Sequence, residues 1–190
     1  MSAENIVSEV VTAVDLEARV KELGSEISAD YQNRRPVLVA VLIGSLPFVA
    51  DLVRNIEVEA ETDFLALSRF GEGGRIRIAL DTSLPVAGRD VIIVEDIVDT
   101  GLTLTVLRRM LADRGAASVA TVALLDKVPR RVVEVPLEYR GFEVGDEYLI
   151  GYGLDFDGRY RNLPALWAVL DREELTGRHE EVARYLYPGK

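Results

Sequence analysis

Within residues 91–104, VIIVEDIVDTGLTL, three carboxylates, two threonines and a glycine follow directly on an apolar run. Glu95 and Asp96 come after Val91 to Val94, and Asp99, Thr100, Gly101 and Thr103 precede a stretch of helical pattern. A glycine- and threonine-bearing loop at a helix N-terminus offers unpaired backbone N–H groups and the positive end of the helix dipole, a natural cradle for phosphate. Three acids beside a phosphate repel it unless they have another duty, such as accepting hydrogen bonds from sugar hydroxyls or holding a divalent cation. A phosphorylated sugar bound together with a metal uses all of these groups. The plainer alternative is that the acids only cap the helix, with Asp99 as N-cap.

Four polar or aromatic residues further on invite a similar weighing. Lys127 opens a loop, where a solvated lysine is the default. Tyr148 begins an apolar run and is equally suited to a core position. Asp155 and Arg161 have the spacing of a surface ion pair, which contributes little. The single histidine, His179, lies in a polar tail and cannot build a histidine metal cluster, and the absence of cysteine excludes disulfides, thiol nucleophiles and thiolate metal sites. Gly151 and Gly153 are too sparse for a dinucleotide fingerprint and no GxxxxGK loop exists, which argues against nicotinamide oxidoreductases and P-loop NTPases.

These residues need a scaffold, and the pattern around them supplies one. Leu16, Val20, Leu23, Ile27 and Tyr31 recur at spacings of three and four, predicting an amphipathic helix that ends at Arg34, Arg35 and Pro36. PVLVAVLI has the continuous apolar character of a strand buried on both faces, and after a turn at Gly44 and Ser45 the segment LPFVADLVRNI continues as a short helix. Residues 59–69 and the strictly alternating RIRIAL flank GEGG at 71–74, predicting a hairpin or flap. VIIVED, a helix from DTGLTLTVLRRMLADRG, and SVATVALLD repeat the strand and helix alternation. Right-handed crossovers make such an alternation a parallel sheet, and ligands then sit beyond the carboxyl ends of the strands. The last third is less regular, with LEYRGFEV, EYLIGYG and a final helix in EELTGRHEEVARYLYPGK. The expectation is thus an α/β fold, a central mostly parallel sheet flanked by helices with a small flap or hood. It would form a single domain over 1–190, with a lid at about 68–79 and a C-terminal helical tail at about 172–190.

Length and composition agree with one globular unit: 190 residues, 48% hydrophobic and 28% charged. With 22 basic and 32 acidic residues the net charge is −10, which opposes adsorption to nucleic acid or anionic membrane. There is no apolar run of bilayer-spanning length and no signal-peptide pattern at the start, so a cytoplasmic location is expected.

The 91–104 signature resembles that of the phosphoribosyltransferases that use 5-phosphoribosyl-1-diphosphate. LLDKVPRR at 124–131, EYLIGYGLDFDGRYRNLP at 147–164, VLIGSLPFVADLVR at 41–54 and TDFLALSRFG at 62–71 narrow the resemblance to the hypoxanthine-guanine phosphoribosyltransferases, over about residues 12 to 171. The resemblance implies that Glu95 and Asp96 meet the ribose hydroxyls, directly or through Mg²⁺. It implies that Asp99 is the general base toward the purine ring nitrogen, and that backbone and hydroxyl groups of Thr100, Gly101, Leu102 and Thr103 hold the 5-phosphate. Lys127 would donate to the purine 6-oxo group, Tyr148 would stack on the ring and the Leu149 carbonyl would face its 2-position. Asp155 would join Glu95 and Asp96 around Mg²⁺, while Arg161 and the turn of Leu42, Ile43 and Gly44 would contact pyrophosphate. The family implies small-molecule substrates, no nucleic acid or membrane partner, and a homodimer or homotetramer. The ribbon from Ser68 to Ala79 would close over the activated sugar, with Arg75 and Arg77 as charges on it.

Three positions depart from the family pattern. Where the turn commonly reads Leu-Lys-Gly, this chain has Ile43; where the lid usually carries Ser-Tyr, Ser68 is followed by Arg69; and the lid is short. These departures keep a second expectation open, a regulatory protein that binds phosphoribosyl diphosphate or nucleotide with little turnover. The net charge and the lack of a basic stripe count against it.

Overall fold

A computed structural model describes residues 3–70 and 75–188. In chain order its strands and helices are β1 (Val7–Val11), α1 (Ala13–Asp30), β2 (Val37–Leu42), α2 (Leu46–Arg54), β3 (Glu61–Phe70), β4 (Arg75–Leu80), β5 (Asp90–Val98), α3 (Leu102–Asp113), β6 (Ser118–Asp126), β7 (Tyr139–Glu143), β8 (Tyr148–Ile150), β9 (Leu166–Val169), α4 (Arg172–Gly177) and α5 (His179–Leu186). Six strands form one sheet in the order β4-β3-β2-β5-β6-β7, parallel throughout except for the antiparallel edge strand β4. The remaining three make a small antiparallel sheet in the order β1-β9-β8.

The unbroken apolar runs are explained by burial on both faces. Along β2, Leu38 and Ala40 join a core with Leu16, Leu23 and Ile27 of α1 and Phe48 and Leu52 of α2. Val37 and Val39 turn to the other side, where Leu104, Leu107 and Leu111 of α3 pack. Ile92 and Val94 of β5 divide from Val91 and Ile93 in the same way. Helix α1 starts at Thr12, whose hydroxyl accepts from the Asp15 N–H, and stops at Tyr31, six residues ahead of the strand that Pro36 introduces.

Three expectations need correction. Strands β1 and β9 carry no legible strand pattern: in β1 only Val7 and Val11 are buried, so period-two alternation is missing. The C-terminal tail is two helices, not one, because α4 ends at Gly177 and the chain turns at Arg178 before α5. Strand β5 runs on to Val98, so Glu95 and Asp96 sit within it and not past its end.

The expected lid is the β3–β4 ribbon, paired antiparallel from Ala66 and Leu80 out to Phe70 and Arg75. Its tip at 71–74, and the side chains of Arg69 and Arg75, lie outside the described residues. No described helix is long and apolar enough to cross a membrane.

Candidate active site

At the carboxyl end of β5 the chain passes from Val98 through Asp99 and Thr100 into α3, whose N-cap is Gly101 at φ 82°. No side chain caps that helix, so Asp99 is not the N-cap. The Thr100 hydroxyl accepts a long hydrogen bond from the Leu102 N–H at 3.4 Å. The loop is held from outside: its Thr100 carbonyl accepts from the Val132 and Val133 N–H groups, and the Asp99 carbonyl accepts from Arg131 at 3.3 Å. Arg131 is itself anchored on buried Asp126 at the end of β6. A cavity of about 420 Å³ lies over this loop, lined by Glu95, Ile97, Asp99, Thr100, Gly101, Thr103 and Arg130 among others. Leu102 is half exposed and does not line it.

A second cavity, about 370 Å³, adjoins the first and is lined by Ile97, Asp99, Lys127, Arg130, Asp146, Tyr148, Leu149, Leu154, Asp155 and Arg172. Ile97, Asp99 and Arg130 belong to both, so one carboxylate stands at the junction. Its Oδ1 accepts from the Arg130 Nε at 2.9 Å. Lys127 is buried at the end of β6, and its Nζ donates to the Glu147 carbonyl at 2.6 Å. Burial pulls its ammonium below the ordinary lysine range, against the opposing pull of Asp99. The Tyr148 hydroxyl donates to the Asp155 carbonyl at 2.7 Å, and its ring meets Phe156 edge to face at 5.6 Å. The ring thus packs against the core under β8 and β9 on one side and lines the second cavity, with Ile97, on another.

Glu95 and Asp96 project to opposite sides of β5. Glu95 is buried toward the first cavity, and burial reinforced by Asp96 holds its carboxyl well above the usual range. Burial likewise pushes Asp96 up to about 6, against the Ile97 N–H and the Arg161 charge. Neither acid has an ion-pair partner among the described residues. Asp96 lies against the turn after β2: a Cβ added at Gly44 would stand 1.6 Å from its Oδ2. The loop carrying Asp155 and Arg161 closes on the same turn, since a Cβ at Gly153 (φ 101°) would fall 1.9 Å from the Gly44 carbonyl oxygen. At Gly153 the positive φ and the backbone contact admit only glycine, while a side chain at Gly44 would have to displace the Asp96 carboxylate. In that loop Arg161 pairs with Asp155 at 2.7 Å and donates to the Gly153 carbonyl at 2.6 Å, while Asp155 accepts from the Gly158 N–H. The Leu42–Ile43 peptide is cis, and the Ile43 side chain is 61% exposed. It does not pack beneath the turn.

Among the described residues no three His, Asp or Glu side chains form a metal cage by themselves. One buried and one half-buried carboxylate without ion-pair partners nevertheless suit a cation that brings ligands of its own, as Mg²⁺ does when it travels with substrate phosphates. Sequence reasoning missed Ile97, Arg130, Asp146, Phe156 and Arg172. Arg130 was signalled by the Arg-Arg pair after Lys127; the others look like ordinary loop and tail residues.

The model of the phosphoribosyl transferase domain matches residues 7–157. The hypoxanthine-guanine phosphoribosyltransferase of Bacillus subtilis is 40% identical over 168 residues, 86% of this chain and 93% of that protein. The chain belongs to the hypoxanthine-guanine phosphoribosyltransferase family. The Streptococcus pneumoniae member is 43% identical over 175 residues, 90% of this chain and 97% of its own. A crystal structure of a Bacillus anthracis hypoxanthine-guanine phosphoribosyltransferase superposes with a TM-score of 0.83 at 37% identity, covering 86% of this chain and 99% of that one. The expected α/β architecture, with its parallel sheet and smaller antiparallel hood, is therefore both observed and the family's own.

Proposed function

We propose that the protein transfers the 5-phosphoribosyl group from 5-phosphoribosyl-1-diphosphate to hypoxanthine or guanine, giving IMP or GMP and pyrophosphate. The observation that carries this reading is the pair of adjoining cavities with Asp99 at their junction. One cavity has the uncapped start of α3 for a phosphate, and the other has Lys127 and Tyr148 for a base.

In this reading the 5-phosphate lies on the Thr100 to Thr103 backbone and hydroxyls, and Glu95 and Asp96 face the ribose. As pyrophosphate leaves the anomeric carbon, the sugar becomes oxocarbenium-like, and these carboxylates stabilise the positive charge. Asp99 accepts the proton from the purine ring nitrogen, once Arg130 has given up its hydrogen bond. Lys127 donates to the 6-oxo group and the base lies between Ile97 and Tyr148. Arg161 moves from Asp155 toward the departing diphosphate. Glu95 on one side of β5, and Asp96 with Asp155 on the other, would each offer a place for Mg²⁺ carried by the substrate, and the metal would supply neutralisation of the diphosphate charge. A homodimer or homotetramer acting in the cytoplasm belongs to the same proposal.

The deciding experiment is a spectrophotometric assay with Mg²⁺ and phosphoribosyl diphosphate across hypoxanthine, guanine, xanthine, adenine and uracil. Turnover of 6-oxopurines with adenine and uracil inert is expected. Equal use of adenine, or no turnover of any base, rejects the assignment.

Ile43 gives a second test. A lysine at this exposed place in the turn puts a point charge beside the proposed pyrophosphate site, an interaction worth about 1–3 kcal/mol. Ile43→Lys should lower the KM for phosphoribosyl diphosphate about tenfold and leave the melting midpoint unchanged, because no packing is lost. A KM that stays put would show that the turn faces away from the diphosphate.

A further inference from the structure

Arg172 is the first residue of α4, beyond the stretch that the family model matches. Its guanidinium carbon lies 4.3 Å from the centroid of the Tyr148 ring, and it lines the base cavity. Among the described residues its guanidinium has no ion pair and no hydrogen-bond acceptor; the aromatic face is its contact.

Its position is built by the fold. Val169, three residues earlier, pairs with Tyr148 across the β8–β9 ladder. Asp171 then caps α4 by accepting from the Glu174 N–H at 2.9 Å, and Leu175 is fully buried against Ile6, Ile150 and Val182. The chain therefore delivers a cation with unused donors to the rim of a cavity whose other cations are engaged. Lys127 is held by the Glu147 carbonyl and Arg130 by Asp99. The acids lining the cavity besides Asp99 are Asp155, paired with Arg161, and Asp146, whose charge bears on Lys127 and Arg130.

We propose that Arg172 is a specificity-determining residue of the base cavity, favouring a purine whose edge toward the rim carries an oxygen acceptor or negative charge. This inference rests on the transferase reading and deepens it by naming the base class. Among 6-oxopurines the distinction falls at the 2-position, where the Leu149 carbonyl of the transferase reading suits guanine's amino donor and Arg172, on the same cavity, supplies the opposite preference. Hypoxanthine has hydrogen there and guanine an amino donor, while xanthine has an oxygen and ionises to an anion near neutral pH. A guanidinium already stacked on Tyr148 is oriented before the base arrives, so little ordering entropy is lost when it donates. Xanthine should then be a substrate beside hypoxanthine and guanine.

The test measures kcat and KM for all three bases on the wild type, Arg172→Gln and Arg172→Lys. A charge-assisted hydrogen bond corresponds to a factor of about ten or more. Arg172→Gln should therefore lose at least about tenfold in kcat/KM for xanthine, chiefly in KM. Hypoxanthine should stay within about threefold, and Arg172→Lys should recover part of the loss. The KM for phosphoribosyl diphosphate should not move, and the melting midpoint should fall by no more than the loss of one exposed cation–π contact allows, because the side chain is exposed and carries no structural hydrogen bond. A wild type that uses hypoxanthine, but whose preference among the three bases is unaltered in both variants, overturns the role of Arg172 alone. Equal losses for all three bases also overturn it, since that outcome marks a general stacking support. A wild type inactive on every 6-oxopurine removes the transferase reading and this inference together.

Discussion

Asp99→Asn loses about 10²–10⁴ in kcat, the range of a positioned general base, while its KM for phosphoribosyl diphosphate stays close to that of the wild type. Asparagine keeps the size and one acceptor oxygen of the side chain but cannot take the purine proton. Its environment makes the comparison clean. The ion pair with Arg130 is about half exposed on both sides, so its removal changes stability by no more than about 1 kcal/mol. The backbone of the loop is held independently, by Val132, Val133 and Arg131. Steady-state kinetics together with a melting curve check the expectation. If Asp99→Asn retains full kcat, the proton leaves by way of water or another group, and the junction carboxylate has some other duty.

The second large effect is expected at Lys127. Lys127→Ala removes the donor proposed for the 6-oxo group, and a hydrogen bond from a charged donor is worth about 1.5–3 kcal/mol. The kcat/KM for hypoxanthine and guanine should fall by about 10- to 150-fold, and discrimination against adenine should narrow with it. Because the ammonium also donates to the Glu147 carbonyl, a purely structural lysine would give a different result. The melting midpoint would drop and all bases would suffer alike, with the ratio of hypoxanthine to adenine unchanged. Measuring that ratio separates the two cases.

The parts of this site that could be read from the sequence share a physical cause. A strand buried on both faces must be apolar at every position, so Val37 to Ala40, Val91 to Val94 and Val122 to Leu125 declare themselves. Carboxylates placed directly after such a run have no packing reason to be there, which draws attention to Glu95 and Asp96. Gly101 is demanded by its positive φ at the start of α3, a local requirement visible in the loop's composition. What stayed hidden depends on long-range pairing. Strand β1 buries only its two ends, and its partner β9 lies more than 150 residues away, so no local window contains the information. Arg172 belongs to the same category, since nothing near it in the chain predicts a tyrosine 24 positions earlier beneath its guanidinium. Asp155 and Arg161 are the intermediate case. They form the ion pair that their spacing suggested, yet the loop that holds them closes on Gly44, a contact their spacing does not encode.

The small sheet also bears on how the molecule is made. Its central strand, β9, joins β1 from the beginning of the chain to β8 beside the base cavity. As the polypeptide leaves the ribosome, all six strands of the large sheet have been synthesised by residue 143, and with them the loop at the start of α3. Val7 must wait for Val169, and Tyr148 for the same residue, before either finds its register. The half of the site assigned to the sugar phosphate thus has its framework early, whereas the half assigned to the purine has Ile97, Asp99 and Lys127 early but gains its Tyr148 wall only when β9 pairs with β8. A nascent chain halted before residue 166 would carry the phosphate loop without a finished wall for the base.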